Sequence, residues 1–256
     1  MLQSDLYLPT SGQVRAAIEA IEDRDYLMPS PSKKFPNGVR RIPGKLVKMT
    51  DRLALLGGFR ISEVVTKFSG DKGNSSLTMN LWVDTHKATG EEVLRIQVNA
   101  LKKYATTSRD LGIPLSPQHE PLSKMVLEAW EAEDGNPCRI NRQMAWYVNS
   151  QAFKGMGYKV GSQLIYERDE NRRMVKDENG KPKIAKKIEE HIKKASDHFL
   201  RHIRAIELRD LQLTPEERVS FFKWSARGVG MNQMLMTYSQ PDWFEYFPKF
   251  LSKRLG

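Results

Sequence analysis

The sequence predicts an α+β fold, mainly helical with a small antiparallel sheet. Apolar residues recur at helical spacing in several segments toward both ends of the chain. Strict alternation of apolar and polar residues is confined to the stretch between Ser76 and Leu115. Turn-forming residues separate the two patterns. The 256 residues suffice for one large domain or two small ones, and 39% hydrophobic with 28% charged residues is a globular balance.

The first helix is SGQVRAAIEAI, from Ser11, with Val14, Ala17, Ile18 and Ile21 on one face. Pro29 to Lys45 follows (PSPSKKFPNGVRRIPGK), where prolines and glycines speak against regular structure. Its Lys33, Lys34, Arg40, Arg41 and Lys45 are candidates for contacting a nucleic-acid backbone, although a solvated loop would read the same way. Leu46 to Leu56 resumes helical spacing and stops at Gly57-Gly58; Ser62 then caps a helix over Glu63 to Lys67. Arg60 falls in the tight connection between them.

Three strands follow: LTMNLWVDTH, VLRIQVNALKK after a turn at Thr89-Gly90, and a return through RDLGIPL. Leu94, Ile96, Val98 and Ala100 lie on one face of the second. From Pro121 the pattern is mostly helical. The exception is a charged insertion, residues 158–187, where DEN occurs twice and Asn179-Gly180 suggests a hairpin tip; it reads as a solvated segment rather than a functional one. Thr214-Pro215-Glu216-Glu217 opens the last clear helix with cap, proline and capping-box glutamate in place.

Charge narrows the function classes. With 41 Lys+Arg against 31 Asp+Glu, the net charge of +10 favours a polyanionic partner through counterion release. No apolar run approaches the roughly 20 residues of a membrane helix, so no membrane partner is expected. The amino terminus has no basic leader or apolar core of a signal peptide. Cys138, the single cysteine, excludes an intramolecular disulfide and fits a reducing, cytoplasmic setting.

Chemistry concentrates in HFLRHIRAIEL. His198 and His202 have the spacing of a zinc helix, but Phe199 stands where such a helix carries its glutamate and the arginines would repel a cation. A phosphate fits better: Arg201 offers a planar fork of donors, and His198, on the same helical face, can pass a proton. Two histidines satisfied on a basic helix remain the bland alternative.

HFLRHIRAIEL resembles the His-x-x-Arg-His-x-x-Ala box of the tyrosine recombinases, or phage integrases. LALLGGFRISEVV is similar to that family's first arginine box, and FFKWSARGVGMNQMLMTYSQ to its carboxy-terminal box; the three occur in the family's order. The long Trp224–Tyr238 spacing, the charged insertion and the tail WFEYFPKFL look most like archaeal and archaeal-virus integrases.

The resemblance implies a recombinase catalytic-domain fold over residues 1–256, without the amino-terminal core-binding domain usual in the family. It implies Arg60 and Arg201 as a clamp on the scissile phosphate, His198 as general acid/base, Trp224 as phosphate support and Tyr238 as nucleophile. Glu63 would orient the site, Arg204 would help hold DNA, and Lys102 or Lys103 would protonate the leaving oxygen. No cofactor and no metal are implied. The implied partners are double-stranded DNA and, on it, three further copies in a homo-tetramer associated with the nucleoid, the host's if the protein is viral. A type IB topoisomerase-like relaxing enzyme and a catalytically inactive DNA-binding relative are the alternatives.

Overall fold

The computed structural model of the protein describes residues 6–30, 35, 37–65, 79–98, 109–133, 138–171, 173–196, 198–222, 249 and 251. It is a mixed α+β structure with small antiparallel sheets. The chain divides into two compact units, a larger one of Thr10–Phe153 with Ser196–Gly256, and a smaller one of Met1–Pro9 with Lys154–Ala195.

In the larger unit, helix α1 (Ser11–Glu19) starts one residue after its cap. The Thr10 hydroxyl accepts from the Gln13 N–H and the Gln13 side chain accepts from the Thr10 N–H, a reciprocal capping box. Val14, Ile18 and Ile21 are buried, as their spacing predicts. The stretch expected to be irregular is in part a hairpin. Strand β1 (Asp25–Pro29) pairs antiparallel with β2 (Val39–Pro43), Leu27 opposite Arg41 and Met28 opposite Arg40. Pro29 and Pro43 stand at strand ends, where a missing N–H costs the ladder little, and Ile42 is buried.

Helix α2 (Gly44–Gly57) is the centre of this unit. Its Val47, Leu53, Ala54, Leu55 and Leu56 are buried, and it packs against α4 (Pro121–Ala132), α5 (Arg142–Ala152) and α6 (Phe199–Asp210). The sheet is antiparallel in the order β3 (Met79–Thr85), β4 (Glu92–Val98), β5 (Arg109–Pro114). Leu94, Ile96 and Val98 are buried as their alternation predicts, while Ala100 lies outside the described residues. The opposite face of β4 is also covered at Arg95. Its guanidinium donates to Asp84 (3.2 Å) and to Asp110, and lies 5.5 Å from the Trp82 ring centroid. Polarity in the alternation therefore does not mean exposure here. Helix α7 (Pro215–Phe222) has the expected box, with Glu217 N–H donating to the Thr214 hydroxyl at 3.2 Å and Thr214 N–H to the Glu217 carboxylate at 2.6 Å.

The smaller unit is built from two-stranded ribbon. Tyr7 donates to the Gly155 carbonyl and accepts from Gly157, tying residues 6–9 to its base. Strand β6 (Gly157–Val160) pairs with β9 (His191–Lys194), and β7 (Gln163–Tyr166) with β8 (Ile184–Ile188). The two DEN sequences are closed by the same pair of hydrogen bonds. Asp169 donates its N–H to the Arg173 carbonyl and accepts the Arg173 N–H on its carboxylate; Asp177 does both with Lys181. At the second turn Gly180 has φ +73°, a left-handed conformation that glycine adopts without strain. Among the described residues no helix is long and apolar enough to cross a membrane.

Candidate active site

The first arginine box is shaped by the end of α2. Gly58 caps the helix at φ +59°, and a Cβ there would lie 2.2 Å from the Phe222 ring. Phe59 donates its N–H to the Ala54 carbonyl and buries its ring, fixing the direction in which the chain leaves the helix. Arg60 is next, and it, rather than Ser62, precedes the first residue of the short helix α3 (Ile61–Val64). The reason is Glu63, whose carboxylate accepts both the Arg60 N–H (2.7 Å) and its Nη1 (2.9 Å). Arg60 is thus half-exposed and held by the carboxylate expected to orient the site.

The second box opens α6. His198 is the exposed cap residue in front of the helix, and its carbonyl accepts the His202 N–H. His202 is half-buried, and that burial holds its imidazole below the usual value. Arg201 is only 6% exposed. Its Nη1 donates to the Gly58 carbonyl (2.6 Å), its Nη2 to the Phe222 carbonyl (2.8 Å), and its guanidinium stacks 4.7 Å from the Phe222 ring centroid. Burial lowers its pKa to about 10; the Glu63 carboxylate opposes the shift and the Arg60 cation adds to it. Arg201 stays charged at neutral pH and lies within the field of both Arg60 and Glu63.

Three segments distant in sequence therefore meet at one guanidinium: the end of α2, the start of α6 and the end of α7. Arg60, Glu63 and Arg201 are gathered there. Two terminal nitrogens of Arg201 each donate to a backbone carbonyl. No family model, curated protein or solved structure matches this chain. What the site can do must come from its residues.

Arg204 corrects an expectation. Expected to help hold DNA, it is 0% exposed and committed to buried carboxylates of its own chain. Its Nη1 donates to Glu120 (2.8 Å) and Glu207 (2.7 Å). Arg15 completes the cluster through Nε to Glu207 (2.8 Å) and Nη1 to Glu120 (2.9 Å), and the Ser11 hydroxyl also donates to Glu207. Burial alone would raise the Glu207 pKa, but Arg204 and Arg15 outweigh it and hold the carboxyl below its usual range. The spacing of Arg204 and Glu207 on one helix carries a signal for half of this cluster; Glu120 and Arg15 come from elsewhere in the chain.

Of the other expected contacts, Arg41 and Lys45 are exposed, with Asp25 at 4.0 Å and Glu133 at 3.7 Å, and Arg40 lies over the Phe35 ring at 5.5 Å. Lys33, Lys34, Lys102, Lys103, Trp224 and Tyr238 lie outside the described residues. Sequence reasoning also missed Asp51, fully buried on α2. One of its oxygens accepts from Asn149 (2.8 Å), and the other meets no donor among the described residues. Burial pushes its pKa up to about 8 against the opposing Asn149 hydrogen bond.

Proposed function

We propose that the protein is a tyrosine-type site-specific DNA recombinase, or integrase, with a recombinase catalytic-domain fold. The observation that supports it best is the Arg201–Gly58 hydrogen bond. It brings the second arginine box to the first, two residues from Arg60, which supports a shared phosphate site. The net charge of +10 supports a polyanionic substrate.

In this reading the Tyr238 oxygen attacks a DNA phosphorus and the bond to the 5′ oxygen breaks, leaving a 3′-phosphotyrosyl ester. Lys102 or Lys103 gives the leaving 5′ oxygen its proton. Arg60 and Arg201, oriented by Glu63 and Phe222, offset the charge of the crowded transition state, with His198 moving a proton and Trp224 supporting the phosphate. The ester conserves the phosphodiester bond energy, so rejoining needs no nucleotide cofactor. Four copies on paired duplexes would exchange strands.

A nicked suicide duplex tests the assignment. Tyr238→Phe abolishes the covalent protein–DNA adduct and leaves duplex affinity within about twofold, whereas the same change at Tyr246, the tyrosine of the tail WFEYFPKFL, leaves adduct formation intact. A phenol ionises near pH ~10, so only a tyrosine brought beside the arginines is activated. The reverse result overturns the site.

One observation favours a second reading, a DNA-binding relative without catalysis: the Arg201 fork is engaged by two carbonyls of its own chain. That reading predicts duplex binding with no adduct from the wild type. Supercoil relaxation without strand exchange would identify the topoisomerase-like alternative.

A further inference from the structure

We infer that the β6–β9 ribbon is a second DNA-docking element, taking duplex DNA along its stem; this rests on the recombinase reading for its partner. The first ground is exposure without a core. Leu164, Ile165, Tyr166, Met174 and Ile184 are all exposed large apolar side chains on one short ribbon. Within the described part of this unit no helix lies over them, and consecutive ones such as Leu164 and Ile165 fall on opposite faces, so both faces of the ribbon carry apolar side chains.

The second ground is charge. Lys176, Lys181, Lys186, Lys193 and Lys194 are exposed and form no ion pair among the described residues. The pairs that do form, Lys183–Glu167 (2.7 Å), Lys187–Glu189 (3.0 Å) and Lys159–Glu190 (3.5 Å), are solvent-exposed and cheap to break. A surface this rich in cations resists a second copy of itself and suits a polyanion.

The third ground is shape. The β7–β8 pair sets Leu164 opposite Lys187 and Ile165 opposite Lys186, so each face places an apolar side chain beside a lysine. A two-stranded ribbon is of the width a DNA major groove admits. There lysines meet phosphates, and apolar side chains meet base edges such as the thymine methyl. The tips are excluded from the contact, because Glu170 and Glu178 sit in the two turns and would face phosphate.

The test uses the full chain and a fluorescent duplex, with anisotropy read across a salt series. Lys186→Ala/Lys193→Ala/Lys194→Ala should weaken binding by about tenfold or more and flatten the dependence of log affinity on log salt by about two to three. A control, Lys87→Ala/Lys124→Ala/Arg209→Ala, removes as many exposed charges from the larger unit and should change affinity less than about threefold. Equal losses in both variants would overturn the proposal, as would no loss in the ribbon variant. Concentration-dependent self-association abolished by the ribbon substitutions, with duplex affinity unchanged, would assign the ribbon to a second copy instead. Wild type that binds through the ribbon but forms no adduct would sink the recombinase reading alone. Wild type that binds no duplex at all would sink both.

Discussion

The larger and smaller units invert each other's chemistry. The larger unit hides charge: Arg204, Glu207, Glu120, Arg201 and Asp51 are all buried. The smaller unit displays apolar side chains on a ribbon studded with lysines. Buried ions cost desolvation that only close partners offset, so their value lies in holding a particular arrangement. Exposed apolar side chains contribute little to folding, so their value lies in what they meet. On the docking proposal, one region holds groups still and the other makes contact, and substitutions should separate the two.

The largest effect is expected from Arg204→Ala. It leaves Glu120 and Glu207 buried with Arg15 as their remaining cation, and breaking a buried pair from one side costs about 3–5 kcal/mol. Urea unfolding followed by tryptophan fluorescence reads it, since all five tryptophans lie outside residues 154–195. The same cluster is acid-sensitive. Glu207 has a depressed folded-state pKa, so its stabilisation is present above its unfolded value of 4.5 and is lost as pH falls through the folded value. A loss below about 1 kcal/mol at pH 7 would mean that the cluster is open to water.

Asp51→Asn works in the opposite direction. A carboxyl whose pKa rises from 3.8 to about 8 on folding stabilises fully below 3.8, and that contribution is lost as pH rises toward 8. Each pH unit in that window is worth up to about 1.4 kcal/mol. The variant should therefore gain on the wild type with increasing pH, by more at pH 8 than at pH 5. Parallel stability–pH curves for the two proteins would show that Asp51 is ionised and solvated.

Gly58→Ala tests the clasp around Arg201. The left-handed backbone costs an alanine about 1–2 kcal/mol, and the new methyl meets the Phe222 ring. We expect a loss of about 2–4 kcal/mol and, on the proposed recombinase reading, less covalent adduct at temperatures where the protein stays folded. Phe222→Leu should relieve the clash and restore part of the stability without restoring the stack on Arg201.

These positions also show what was legible in the chain. Elements with a local cause were: the Thr214 box, the stop at Gly57-Gly58, and the alternation in β4. The hairpin of β1 and β2 was hidden because prolines at strand ends look like loop punctuation until the pairing is known. Arg204 looked like a phosphate ligand because local sequence carries its charge and not its burial; Glu120 and Arg15 reach it only through tertiary packing. The resemblance paired Arg60 with Arg201, but neither the Gly58 nor the Phe222 carbonyl was anticipated as a partner of Arg201. The DEN repeat was visible, but that each copy closes a turn through its aspartate was not.

The smallest effect is expected in the ribbon, from Leu164→Ser/Ile184→Ser. Leu164 is 45% and Ile184 52% exposed, so folding removes only part of each side chain from water and leaves no cavity when it is trimmed. The change in unfolding free energy should stay within about 0.5 kcal/mol per site, read by far-ultraviolet circular dichroism so that the ribbon contributes to the signal. Duplex affinity should fall without any change in salt slope, because the lost contacts are apolar and not ionic. The contrast with Arg204→Ala is the point: large loss of fold there, loss of contact without loss of fold here. A cost above about 2 kcal/mol in the ribbon would mean that these side chains are covered in solution. A midpoint rising with protein concentration would then identify the cover as a second copy of the chain.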